Sequence, residues 1–455
     1  MTLKPAFIIA ATKSGAGKTT LTLGIMSALV KRGYQVQPYK CGPDFIDPTL
    51  HKLVTGNCSY NIDLKMMGAE CCRETFALKG RDADILIIEG VMGLFDGGNS
   101  STAALARELN LHVILVIDAQ SSAESAAAVL KGFELYDPQV KLGGVIFNKI
   151  GSKRHRDLID SAVIKRSSVP VIGYMPREQM FHIPERHLGL HMGSEHPLDE
   201  KSLEALASYT ETHLDLDLML KQAVKADVDF CSIPLKTSKS SSRKRYRLGV
   251  SIDEAFCFYY QQNLEMFARE GFEVVPFSPL HEKKLPADLH MIYLCGGYPE
   301  NFAADLSLNH SMMESIKKAH QNGVPIYAEC GGFMYLCKNL TDTSGETFEM
   351  TGIFPYHSSM KKRLRRLGYR EVRLRETCLL GIKGDILHGH EFHYSDITLP
   401  HNDTYKDNKI RKLYLLDNNS HEGYSSGSAI GSYVHLHFGN SPAVFRHIVA
   451  ELDLL

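Results

Sequence analysis

Phe7-Ile8-Ile9-Ala10-Ala11-Thr12-Lys13-Ser14-Gly15-Ala16-Gly17-Lys18-Thr19-Thr20 decides how the rest of the chain is read. An apolar run enters a glycine turn, and Leu21, Leu23, Ile25, Met26 and Leu29 then recur at helical spacing. Strand, glycine turn, helix is the context that a phosphate-binding loop requires. Backbone N–H groups of the turn and of the helix start point at a phosphate, so Ser14, Gly15, Ala16, Gly17, Lys18, Thr19 and Thr20 are the expected nucleotide contacts. Lys18 adds a charge, and the Thr19 hydroxyl is placed to hold Mg²⁺. The strict motif has glycine at position 12, where this chain has threonine. The bland alternative, a glycine turn that only caps a helix, accounts less well for the strand before it.

Bulk properties set the frame. With 455 residues the chain exceeds one ordinary core, and two or three domains are expected. Apolar content of 44%, charged content of 23% and a net charge of −1 fit a globular protein without a broad nucleic-acid or membrane footprint. The N-terminus reads as a first strand and not as a signal peptide. Ten cysteines with no C-x-x-C pair point to a reducing, cytoplasmic setting rather than to disulfides or zinc.

Further apolar runs lie at 34–40, 83–90, 112–118, 142–149 and 169–176, with an Ala-rich helix expected over 122–133. Strands that are apolar throughout and alternate with helices predict a parallel sheet covered on both faces. Ligands on such sheets bind beyond the carboxyl ends of the strands. That edge gathers Lys18, Asp44, Asp47, Glu89, Asp96 and Asn148. Cys41-Gly42-Pro43-Asp44-Phe45-Ile46-Asp47-Pro48 reads as an acidic loop. Glu89 ends a buried run, where a second Mg²⁺ contact sits in P-loop enzymes. Asn148 is placed for a nucleotide base, with a plain turn as its alternative.

The polar, basic run 236–245 reads as a linker between a P-loop domain (1–235) and a second α/β domain (246–455). In the second domain, strands are expected at 246–252, 273–277, 289–294 and 324–329, with a helix at 311–322. The run Ile326-Tyr327-Ala328-Glu329-Cys330-Gly331-Gly332 places a cysteine at a strand-to-helix turn. There a thiol is exposed to substrate, the helix N-terminus favours its thiolate, and neighbouring N–H groups can hold an oxyanion. Gly296-Gly297 forms a second glycine turn, and His435 is available as the base. A buried, structural cysteine is the alternative for Cys330 and the reading kept for Cys295.

These segments together resemble the cobyrinic acid a,c-diamide synthase family of amidotransferases. The resemblance rests on the Lys13–Thr20 loop, Gly42–Pro48, Glu89–Gly97, Gly296–Glu300, Glu329–Gly332, Gly389–Tyr394 and Tyr433–His437, in this order. The first half is also similar to dethiobiotin synthetase, and the second to class I glutamine amidotransferases. The latter read His-x-Glu where this chain has His435-Leu436-His437, so a Cys–His dyad is the implied catalytic pair.

The resemblance implies an α/β P-loop domain followed by a class I amidotransferase domain. Cys330 would attack glutamine, His435 move protons, and the N–H groups near Gly297 and Gly331 hold the oxyanion. Lys18 would bind ATP, Thr19 and Glu89 hold Mg²⁺ with Asp47 as a third contact, and Asp44 and Asp96 bind or order substrate. The implied substrate is a tetrapyrrole dicarboxylate: cobyrinic acid, with hydrogenobyrinic acid or Ni-sirohydrochlorin as alternatives. His390, Glu391, His393 and Tyr394 either face that macrocycle or are structural. Small molecules are the expected partners, without nucleic acid or membrane, and a homodimer is left open. Two other classes compete: a dimeric P-loop ATPase switch with a degenerate second half, and a carboxylate-activating enzyme that needs no nitrogen donor.

Overall fold

The computed structural model describes residues 3–177, 185–186, 189–190, 192, 198–229, 246–399 and 410–454. The expected linker at 236–245 lies outside the described residues. The chain divides into two compact units, Met1–Pro234 and Leu235–Leu455.

The first unit is built on a sheet of β1 (Leu3–Ala11), β2 (Val36–Cys41), β3 (Tyr60–Ile62), β4 (Ile85–Gly93), β5 (Val113–Asp118), β6 (Leu142–Ile150) and β7 (Val171–Pro176). Their order is β3-β2-β4-β1-β5-β6-β7, all parallel. A short ribbon, β8 (Glu185–Arg186) with β9 (Gly189–Leu190), comes next, and β10 (Val224–Asp227) pairs antiparallel with β1. Ile85, Leu86, Ile87 and Ile88 are all fully buried, as a strand covered on both faces must be. The helix Lys18–Lys31 is buried from Leu21 to Leu29 because the helices Asp47–Thr55 and Glu200–His213 cover it. The acidic loop expected up to Pro48 is shorter than the sequence implied. The Asp44 side chain accepts from the N–H groups of Ile46 and Asp47, and Pro48 opens a helical turn, so the helix starts at Asp47.

The second unit begins as expected, with β11 (Tyr246–Ser251), β12 (Phe272–Phe277), β13 (Met291–Leu294) and β14 (Ile326–Glu329) in parallel register. The helix His310–Gln321 precedes β14. Ten further strands between β14 and the C-terminal helix were not expected from the sequence. β15 (Cys337–Thr341), β16 (Thr347–Glu349), β17 (Phe354–Met360), β18 (Arg366–Leu374), β19 (Ile386–His393), β20 (Ser395–Thr398), β21 (Arg411–Leu416), β22 (His421–Ser426), β23 (Ala429–Ser432) and β24 (His435–His437) pair mostly antiparallel. They build a small side sheet and extend the main sheet in the order β12-β11-β13-β14-β23-β22-β21-β18-β19-β24. β23 lies parallel to β14, which brings the His435 segment beside the end of that strand.

Two glycines test the packing in opposite directions. A Cβ on Gly173 would lie 2.2 Å from the His213 carbonyl oxygen, a backbone atom that cannot move aside alone. Gly173→Ala should cost about 1–3 kcal/mol in chemical denaturation. Gly132 sits within the helix Glu124–Tyr136 with nothing near its missing Cβ, so Gly132→Ala should stabilise by about 0.4–1 kcal/mol. Equal effects from the two would contradict this packing.

Candidate active site

The turn after β1 is a cradle of backbone. Gly15 and Gly17 take φ values of 75° and 88°, the left-handed region that glycine adopts without strain. Gly17 is also tightly approached: a Cβ there would stand 2.3 Å from Asn148 Nδ2. Asn148 Nδ2 donates to the Ala16 carbonyl at 2.8 Å, so this side chain, expected toward a base, holds the loop itself. Lys149 has φ 60° inside β6, where its register with β7 shifts, and its ammonium bonds Asp118 at 2.9 Å and the Gly15 carbonyl at 3.3 Å. Lys13 is largely exposed, 3.7 Å from Asp118.

Beyond the loop, Glu89 organises the site. It is fully buried on β4, between β1 and β2, with Ile9 and Lys40 as its register partners. Its Oε1 accepts from Thr19 Oγ1 at 2.8 Å, Lys18 Nζ at 3.1 Å and Lys40 Nζ at 3.2 Å. Its Oε2 lies 2.8 Å from His51 Nε2, and His51 Nδ1 bonds Ser59 Oγ at 2.9 Å. Burial works to raise this carboxyl, but Lys40, Lys18 and His51 outweigh it and hold Glu89 well below the usual carboxylate range.

Lys40 is the counterpart of that charge. Its ammonium is buried, hydrogen-bonded to Asp47 and 3.7 Å from Asp44. Burial opposes its charge, yet Asp47, Glu89 and Asp44 raise it well above its ordinary value. Asp47, unlike Glu89, is raised: burial, then Asp44 and Glu89, push its carboxyl up despite Lys40. The sequence pattern assembled Lys18, Thr19, Asp44, Asp47 and Glu89 and missed Lys40 and His51. The signal for Lys40 was available, since it sits at the end of an apolar strand beside the other strand ends. His51 carried none, being one histidine on a short helix. Asp96 turns inward to accept from the Gly93 N–H at 3.1 Å, which orders the glycine turn after β4.

In the second unit, Cys330 occupies the turn between β14 and the helix Gly331–Leu336 with φ 43° and ψ −101°. A non-glycine residue held there stores about 1–3 kcal/mol of strain. Its N–H donates to the Ser432 carbonyl at 2.7 Å, tying the turn to β23. The side chain is 6% exposed. Burial, then the Glu300 carboxylate, pushes the thiol far above its ordinary value, and the Gly331 N–H opposes them. Glu300 is itself pushed up to about 7 by burial.

Both glycine turns close on this cysteine. A Cβ on Gly331 would meet the Gly297 nitrogen at 2.9 Å, and one on Gly297, where φ is 155°, would meet the Ala255 oxygen at 2.1 Å. The two backbones therefore come close beside Cys330. His435 lies at the same turn: a Cβ on Gly296 would stand 2.3 Å from its Cε1. His435 Nδ1 is 3.5 Å from Oε2 of Glu329, the residue preceding the cysteine. His437 is buried, its Nδ1 accepts from the Gly439 N–H at 3.1 Å, and burial lowers it to about 3. It stays neutral and supplies no negative charge. Cys295 is buried, its N–H bonded to Ser251 Oγ at 2.8 Å.

The Gly389–Tyr394 segment forms part of β19. Glu391 is buried against Arg370, with Nε 2.6 Å from Oε2. His393 stacks on Tyr433 with 4.0 Å between centroids and bonds the Ser395 carbonyl at 2.8 Å. His390 is buried in register with His435.

Residues 7–190 match the model of the CobQ/CobB/MinD/ParA nucleotide binding domain, and residues 247–443 that of the CobB/CobQ-like glutamine amidotransferase domain. The cobyrinate a,c-diamide synthase of Salmonella typhimurium is 41% identical, covering 98% of this chain and 97% of its own. That of Listeria innocua is 42% identical (97% and 98%), and that of Dehalococcoides mccartyi strain 195 is 39% identical (98% and 97%).

The cation balance around Glu89 has a pH signature. A carboxylate with a depressed folded pKa contributes stability above its unfolded value of about 4.3, lost as pH falls through the folded value. Lys40→Met would let the Glu89 and Asp47 carboxyls rise, so the variant's deficit should be about 3–5 kcal/mol near neutral pH. It should shrink as pH falls toward about 4, where protons replace the missing ammonium. Urea unfolding at both pH values measures this, and a deficit independent of pH would contradict it.

Proposed function

Since the chain belongs to the cobyrinate a,c-diamide synthase family, we propose that it makes two amides on a tetrapyrrole dicarboxylate, using ATP and the amide nitrogen of glutamine. Cobyrinic acid, at its a and c acetates, is the substrate of this reading. The observation that carries it is the presence, in one chain, of a phosphate cradle converging on Glu89 and a strained cysteine turn closed by two glycine backbones.

In the first unit, the loop N–H groups and Lys18 bind the nucleotide phosphates. The donor set fits Mg²⁺, a hard cation that takes oxygen ligands: a hydroxyl and a carboxylate stand 2.8 Å apart. Thr19 and Glu89 would hold that ion, with Asp47 near, and it supplies charge neutralisation on the transferred phosphate. A carboxylate is inert to amines because oxide is its leaving group. Its oxygen attacks the γ-phosphorus, ADP leaves, and the resulting acyl phosphate loses phosphate when ammonia attacks its carbonyl carbon. Lys18 and Lys40 offset the negative charge that gathers there. Asp44 and Asp96 order the loops that meet the substrate.

In the second unit, His435 takes the Cys330 proton and the thiolate attacks the glutamine amide carbon. N–H groups at Gly297 and Gly331 hold the oxyanion, His435 returns the proton to the departing ammonia, and water cleaves the thioester to glutamate. The far-raised thiol of the resting site requires this proton acceptor. Nine described cysteines carry free thiols, which supports a cytoplasmic setting.

Cys330→Ala should abolish amidation from glutamine and keep amidation from concentrated ammonium salt. Loss of both in a folded variant would contradict the division of labour. Lys18→Ala should stop amidation from either nitrogen source, and ammonium-driven turnover at the parent rate would rule out its phosphate role. Mass spectrometry of the products reads both.

A further inference from the structure

Glu329 precedes the nucleophile at the end of β14 and is fully buried. Its Oε1 accepts from Tyr327 O–H at 2.5 Å and from the Leu436 N–H at 2.9 Å. Its Oε2 accepts from Tyr293 O–H at 2.8 Å and faces His435 Nδ1 at 3.5 Å. Three donors on two oxygens are what an ionised carboxylate satisfies, and they fix its plane before any substrate arrives. Among the described residues the ion-pair partner that faces this buried carboxylate is His435.

Burial without a counter-charge makes that pairing consequential. An uncompensated carboxylate in a dry site is costly, so Glu329 is stabilised whenever His435 carries a proton. The Leu436 N–H bond lies one residue beyond His435 in the chain, so the same carboxylate pins the backbone that carries the ring. His437, two residues on and neutral, cannot do this.

Resting on the amidotransferase reading above, we infer that Glu329 is the positioning acid of the site, orienting His435 and balancing its imidazolium, in place of the missing carboxylate at position 437. Nδ1 faces Glu329, which leaves Nε2 to exchange the proton with Cys330. When the thiol proton passes to Nε2, the positive ring meets a carboxylate already in place, and no other group has to move. Catalytic contacts of this kind are commonly long in a resting site and shorten once substrate is bound.

Other titratable groups facing this centre include Glu300, Glu391 and Tyr433, which act on Cys330, Cys295 and Tyr414, which face Glu329, and His393 of β19, which faces His435. A test must therefore isolate Glu329. Glu329→Gln keeps the shape and removes the charge, so the imidazolium gives up its proton more readily and the Cys330 thiolate loses its partner. The pH midpoint for iodoacetamide labelling of the Cys330 peptide, followed by mass spectrometry, should move up. Glutamine hydrolysis should fall at least about 100-fold, while ammonium-driven amidation persists.

Tyr293→Phe gives the opposite sign. It removes a donor from the oxygen that faces His435, makes that oxygen more basic, and should move the midpoint down. Should the Glu329 variant fail to fold, this second variant decides. A parental hydrolysis rate in Glu329→Gln, or a midpoint unmoved in the folded variants, overturns the inference. If the parent protein itself releases no glutamate from glutamine, it is the amidotransferase reading that fails.

Discussion

The buried carboxylate of Glu89 is the contact on which the first unit depends. An isolated carboxylate there would cost several kcal/mol, so the fold must deliver cations to it. It does so with Lys18 from the helix after the phosphate loop and Lys40 from the neighbouring strand, and His51 of the next helix adds a hydrogen bond. Each arrives because a parallel sheet aligns the carboxyl ends of its strands. The charge balance of the site and the topology of the sheet are one constraint.

The second unit repeats the device with different chemistry. Glu329 also sits fully buried at the end of a parallel strand, but its partners are two tyrosine hydroxyls, a backbone N–H and a histidine. Lysines would hold the charge permanently. A histidine lets it be balanced in one protonation state and not in the other. That difference suits a site that moves protons, as the lysine-rich one suits a site that holds polyanions. Strain at Cys330 belongs to the same design: the turn that carries the buried sulfur is held by the hydrogen bond to Ser432 and by the close approach of Gly297.

Much of this was legible in the residues. Apolar runs that end in Glu89 and Glu329 announce buried parallel strands, and a glycine turn with Lys18-Thr19 after it announces what lies beyond them. The antiparallel region from β15 to β24 was not legible, because its strands are short and mix buried with exposed positions. In β18, for example, Val372 and Leu374 are buried while Arg366, Leu367, Glu371 and Arg373 are exposed. Single-residue roles divide in the same way. Lys18 and Cys330 have local signatures, whereas the ties of His51 to Glu89 and of Glu329 to His435 join residues 38 and 106 positions apart. Asn148 shows the same from the other side: its place near a strand end is legible, and its bond to the Ala16 carbonyl is not. Only the folded chain sets those partners.

What unites the two sites is the claim that an inert carboxylate becomes an acyl phosphate before nitrogen reaches it. The direct measurement is to supply cobyrinic acid with heavy oxygen in its a and c carboxylates, together with MgATP and glutamine, and to weigh the inorganic phosphate. An acyl phosphate intermediate leaves one heavy oxygen in the phosphate for every amide made. Phosphate that carries none would contradict it.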